Sequence, residues 1–161
     1  MPQLGPPVHP AGFRVVNVPS ADARLSVPRN WVLLGTDSKL LLVLDTSGRA
    51  VIALWRYPLQ SPAPVGTGQL GLARQRLIAS ARSHDHSLHV ISSTLGQVSG
   101  HPAITLTADE QIGKSQRRVV STHVFTTSEE LVLEEYAPYK VFGPVNQATF
   151  SPVLRSLTLT G

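Results

Sequence analysis

The segment Ser83-His84-Asp85-His86-Ser87-Leu88-His89 sets three imidazoles and a carboxylate within seven residues. Donors of this kind can bind zinc, nickel or copper. The spacing is short for a helix and uneven for a strand: His84 and His86 would share one face of a strand while His89 points away. The plainer reading is a helix C-terminus, where imidazoles meet the carbonyl end of the helix dipole. A second cluster of acids, Glu129, Glu130, Glu134 and Glu135, invites acid–base chemistry, since paired carboxylates can cleave glycosides or esters. On a strand Glu130 and Glu134 point one way, and Glu129 and Glu135 the other. The plainer reading is exposed charge beside the turn Thr126-Thr127-Ser128.

Other signals for chemistry are weaker. No Gly-x-Ser-x-Gly nucleophile elbow is present. Gly66-Thr67-Gly68 precedes a helix-like stretch but lacks the Walker lysine, is read as missing the Gly-x-Gly-x-x-Gly spacing at Gly71, and reads as a loop and helix cap. Trp31, Trp55 and Tyr136 read as packing residues and not as a platform for stacking bases. No residue is therefore assigned a catalytic, cofactor-binding or metal-ligating role, and no cofactor is expected.

The chain that must position these residues has 161 residues, the size of one domain. Hydrophobic residues make up 42% and charged residues 15%, which argues against disorder. The net charge of +4 is carried mainly by arginine, with Lys39, Lys114 and Lys140 the only lysines. No basic run exceeds Arg117-Arg118, so the basic stripe of a nucleic-acid binder is missing and no nucleic acid is expected. Without cysteine there is no disulfide, zinc thiolate or cysteine nucleophile. The apolar stretch Leu40 to Leu44 is far shorter than the roughly 20 residues of a membrane helix, so no transmembrane segment is expected. Met1 opens a Pro/Gly-rich segment with none of the features of a signal peptide.

Residues 1–12 carry Pro2, Pro6, Pro7 and Pro10 with Gly5 and Gly12, and read as a flexible arm. Residues 13–161 read as a single domain. Short β-rich runs cover Phe13 to Val18, Arg24 to Val27 and Trp31 to Leu34. Lys39 to Asp45 and Ala50 to Tyr57 flank Thr46-Ser47-Gly48-Arg49, a hairpin in which Gly48 supplies a positive φ. A helix is predicted over Gln69 to Arg82, because Leu70, Ala73, Leu77 and Ala81 recur at helical spacing; Thr67 would be its N-cap. A meander follows, with strands over Leu88 to Gln97, Ala103 to Ala108, Arg117 to Thr126 and Leu131 to Ala137. A last helix runs from Ser151 to Leu157, with Ser151 as N-cap and Pro152 in the first turn. Strands joined by short turns imply a single antiparallel sheet, and two amphipathic helices must bury their stripes against it.

The stretches "LSVPRNW", "VSGHPAITLT", "HVFTTSEELVLEEYAP" and "FSPVLRSLTL" resemble the PsbP-like superfamily. That group includes the photosystem II extrinsic protein, a yeast Ran-binding import factor and bacterial envelope lipoproteins. The resemblance rests on the order of parts: a Gly-x-Pro strand, a strand pair ending in Ala-Pro, then Phe-x-x-Val-Leu-x-Ser-Leu. It implies an α+β fold, an antiparallel sheet flanked by helices in an α/β/α sandwich. It carries over no catalytic residue, because members share none.

The function expected from these readings is a non-enzymatic binding or accessory module for a protein or a small apolar ligand. The alternative is a small hydrolase or metal-dependent enzyme using His84, His86 and His89 or the acids Glu129 to Glu135. The resemblance and the arm suggest an extracytoplasmic setting in a bacterium.

Overall fold

The computed structural model describes residues 12–46 and 50–160. Gly48, and the arm apart from Gly12, lie outside the described residues. Gly12 itself is anchored, its carbonyl accepting a 3.0 Å hydrogen bond from Arg29 N–H.

Seven antiparallel strands form the central sheet, in the order β3-β4-β5-β9-β8-β7-β6. They are β3 (Val32–Leu33), β4 (Leu40–Asp45), β5 (Val51–Pro58), β6 (His89–Val98), β7 (His101–Ile112), β8 (Ser115–Phe125) and β9 (Glu129–Pro138). Helix α1 (Gly66–His84) carries the chain from β5 to the far edge strand β6, and β6 to β9 then meander back until β9 pairs with β5. The tight turns of the meander follow from residue type. Ser99 and Gly100 both have positive φ, 51° and 79°, as a two-residue primed hairpin turn requires.

The expectation of one sheet is corrected. The first two runs, β1 (Phe13–Val18) and β2 (Ala23–Pro28), leave the central sheet and form a separate three-stranded sheet in which β2 lies between β1 and β10 (Thr158–Leu159). Buried Trp31 marks the division: the short strand after it, β3, joins the large sheet. Arg24 and Ser26 alternate with Ala23, Leu25 and Val27, and the apolar set turns inward.

The last helix also begins earlier than the sequence suggests. α2 (Phe142–Val145), a π-helical stretch (Asn146–Phe150) and α3 (Ser151–Ser156) run on continuously. Ser151 is helical and does not act as a cap; its N–H reaches back to Asn146 O. Pro152 has no N–H to donate, so the α-helical ladder is interrupted there and the preceding turn widens. Ser156 Oγ accepts from Ser26 N–H at 2.8 Å, tying α3 to β2.

The small sheet and α2–α3 cover one face of the large sheet. Their core joins Leu25, Val27, Trp31, Leu44, Ile52, Leu54, Leu131, Leu133, Phe150 and Val153. The other face carries α1, over a smaller core of Leu70, Ile104, Leu106 and Phe125. The chain is thus an α/β/α sandwich with an extra β layer beside α2–α3.

Candidate functional site

Helix α1 starts three residues before the predicted Gln69. Val65 is the N-cap and Thr67 lies inside the first turn; the Gln69 side chain takes over, its Oε1 accepting Val65 N–H at 2.8 Å. Gly66-Thr67-Gly68-Gln69-Leu70-Gly71 does match the spacing Gly-x-Gly-x-x-Gly. Context decides against a dinucleotide site. β5 leads into a proline-containing loop, and its sheet neighbours are antiparallel, whereas the dinucleotide fingerprint needs a tight strand–turn–helix unit in a parallel sheet.

The helix is only partly seated. Of its apolar stripe, Leu70 alone is buried; Ala73, Leu77, Ile78 and Ala81 are half-covered, and Leu72 is 53% exposed. α1 packs over β6 and β7, leaving β5 and β9 open on this face. What lies beneath its C-terminal half explains the gap. In register, β9 presents Glu130, Val132 and Glu134, β8 presents Ser121 and His123, and β5 presents Trp55 and Tyr57. Leucine and alanine cannot close over carboxylates and an imidazole without stripping their water.

The result is a groove with two connected compartments. The outer one, about 640 Å³, is lined by Leu59, Pro62, Leu72, Ala73, Leu77 and Phe125, with Gln60, Gln69 and Arg76 among its polar residues. The inner one, about 350 Å³, runs past Trp55, Tyr57, Val132, His123, Ser121 and Glu134. Leu77, Ser80 and Glu130 line both. Volumes of this order suit a small-molecule ligand.

A polar array crosses the inner compartment. His123 Nδ1–H donates to Glu130 Oε1 at 2.6 Å, and in the neutral ring His123 Nε2 accepts from Ser121 O–H at 3.3 Å. The order Ser–His–Glu is that of a hydrolytic triad. Two features oppose that chemistry. Ser121 sits mid-strand between β7 and β9, so the backbone N–H groups around it serve the sheet ladder and cannot form an oxyanion hole. Glu134 is directly opposite Ser121, where its charge would repel an oxyanion. Burial raises the Glu134 carboxyl above its ordinary range, and it has no hydrogen-bond or ion-pair partner among the described residues. Arg117 lowers it from a distance but is engaged with Glu110 and the Tyr136 ring, 4.2 Å from its guanidinium carbon. Tyr57 is also raised, first by burial and then by Glu134. Trp55 and Tyr57 stack nearly parallel, their planes 10° apart and centroids 6.3 Å apart.

The histidine cluster is dispersed. His84 ends α1, and its Nδ1–H donates to Ser80 O at 2.8 Å, the helix C-terminal role. His86 lies in the turn, where Asp85 Oδ1 accepts from the Ser87 backbone N–H (2.9 Å) and hydroxyl (2.6 Å). His89 opens β6 opposite Asp109. Among the described residues no three His, Asp or Glu side chains converge as a metal site. The acids divide as strand geometry requires, but their expected exposure needs correction. Glu135 faces the main core, is 1% exposed, and its Oε2 has no hydrogen-bond partner. Trp31 is buried edge-on to Phe150, while Trp55 and Tyr136 lie on the face of β5 and β9 that α1 leaves open.

Sequence comparison finds no matching protein-family model and no matching curated protein. The fold, however, is similar to known structures. Cyanobacterial PsbP (CyanoP) from Synechocystis sp. PCC 6803 superposes with TM-score 0.70 at 12% identity, covering 94% of this chain and 95% of that one. LpqN, involved in cell envelope biogenesis of Mycobacterium tuberculosis, gives TM-score 0.64 at 16% identity, with 86% and 83% covered. A protein of unknown function from Pseudomonas aeruginosa gives 0.59 at 12% identity, with 94% and 99% covered. The chain has the PsbP-like fold. Among the described residues no helix is long and apolar enough to cross a membrane.

Proposed function

We propose that this chain is a non-enzymatic binding module whose groove between α1 and the sheet holds a largely apolar small molecule. The half-seated helix carries this reading: Leu72, Ala73 and Leu77 line a compartment of about 640 Å³ that the protein's own side chains do not fill. Each Å² of apolar surface covered there by a ligand is worth about 25 cal/mol. Ser121, His123 and Glu130 serve in this account as polar contacts in the inner compartment, and Glu134 stands against their use as a nucleophilic set.

Calorimetric titration with 1-octanol tests it. Saturable binding is expected, and Ala73→Trp, which fills the outer compartment, should abolish it while the thermal transition persists. Undiminished binding in that variant places the ligand elsewhere and overturns the reading. Hydrolysis of p-nitrophenyl butyrate that disappears in Ser121→Ala would establish an enzyme instead. We also propose that the chain works outside the cytoplasm of a bacterium. Support comes from the envelope role stated for LpqN and from the tether-like composition of residues 1–12. Fractionation with the cytosol overturns this location and leaves the groove untouched.

A further inference from the structure

The inner compartment differs from the outer in one respect that bears on ligand class. It joins a stacked aromatic pair, Trp55 and Tyr57, to a half-buried carboxyl, Glu134, that has no hydrogen-bond or ion-pair partner among the described residues. A carboxylate with no donor of its own can take one from a cationic ligand. The neighbouring charges do not supply one. Arg117 is occupied by Glu110 and Tyr136. His123 directs its Nδ1–H at Glu130, not at Glu134. His84, at the open end, donates to its own helix. The inner compartment thus carries two carboxyls, Glu130 and Glu134, beside the aromatic pair.

We propose that the inner compartment receives an alkylammonium group, its cation held between the Trp55–Tyr57 faces and the Glu134 carboxylate. The apolar chain of the same molecule runs outward past Val132 and Leu77 toward Phe125. Aromatic faces attract a cation through the ring quadrupole, and a half-buried carboxylate accepts a charge-assisted hydrogen bond from its N–H groups. This inference rests on the groove being the binding site, and it adds the charge of the ligand.

The test is calorimetric titration of the intact chain at pH 7 with three probes of equal chain length: n-octylammonium, 1-octanol and octanoate. Octylammonium should bind about tenfold or more tightly than 1-octanol, and octanoate more weakly than either. Glu134→Gln, of nearly the same size, should reduce the preference for the amine over 1-octanol to within about twofold. Trp55→Leu should weaken the amine more than the alcohol, an independent check if Glu134→Gln fails to fold. Equal binding of amine and alcohol by the native protein overturns the cation site and leaves the groove reading standing. A preference for the amine that survives both variants also overturns the cation site. No binding by any probe removes the groove reading and this inference together.

Discussion

Glu135 ought to make this protein less stable as the solution approaches neutrality, and Glu135→Gln should remove the effect. The side chain is 1% exposed and, in register, lies between Ile52 of β5 and Val120 of β8, on the face covered by α2–α3 and the small sheet. Burial alone raises its carboxyl well above the ordinary range, and no partner is available to its Oε2 among the described residues. The sign follows from comparing states. Below the unfolded-state pKa, near 4.3 for a free glutamate, the group is protonated folded and unfolded, and contributes no pH dependence. Above it the unfolded chain ionises while the folded chain keeps its proton, so the unfolded state gains. Stability then falls by about 1.4 kcal/mol for each pH unit, until the folded-state pKa is passed. For a chain of this size that is about 3 to 6 °C in Tm per unit. Glutamine keeps the volume and cannot ionise. Thermal melts of the two proteins from pH 4 to pH 7 should therefore diverge, with Glu135→Gln increasingly the more stable. Other titrating groups are common to both and cancel in the difference. A gap that stays constant across this range would mean that Glu135 ionises normally, and would refute the buried placement.

Arg118 grips Asp109 through Nε (2.7 Å) and Nη2 (3.0 Å), and its guanidinium carbon lies 4.9 Å from the Tyr139 ring centroid. Arg118→Lys loses the fork and the stacking, and should cost about 1–2 kcal/mol in urea unfolding, the partial exposure of the pair keeping the figure modest. Phe150 is fully buried between Trp31 (6.2 Å) and Phe142 (5.8 Å), so Phe150→Ala should cost about 3–5 kcal/mol by the same assay. Deleting residues 1–11, while keeping Gly12 for its bond to Arg29, should change Tm by less than about 5 °C, since so Pro/Gly-rich a segment can bury little apolar area.

The local features of this fold are legible in the sequence because they depend on neighbouring residues. Alternation of apolar and polar residues marks β8 and β9, glycines mark the turns at Gly100 and Gly113, and Leu70-Ala73-Leu77 marks α1. What escapes depends on long-range pairing. Nothing local shows that β2 pairs with β10 some 130 residues away. Nor does Ser151-Pro152, a good helix start in isolation, reveal that the helix already began at Phe142. Glu135 reads as one more acid in an acidic run, yet it shares a face with Leu131 and Leu133, a placement that period-2 counting could have exposed. The polar array was accessible in part. Ser121 and His123 are two residues apart on one strand, and the short loop at Thr126 to Ser128 brings Glu130 back beside them. Its meaning was not accessible, because the groove exists only where α1 fails to close over that row.

The claim that α1 covers a ligand groove is tested most directly by intermolecular nuclear Overhauser effects from bound n-octylammonium to the protein. The account predicts contacts from the alkyl chain to Leu77, Val132 and Phe125, and from the carbons next to nitrogen to the Trp55 and Tyr57 rings. Contacts gathered instead on the opposite face, at the cavity beside Gln97, Thr122 and Leu157, or none from a ligand shown to bind, would contradict it.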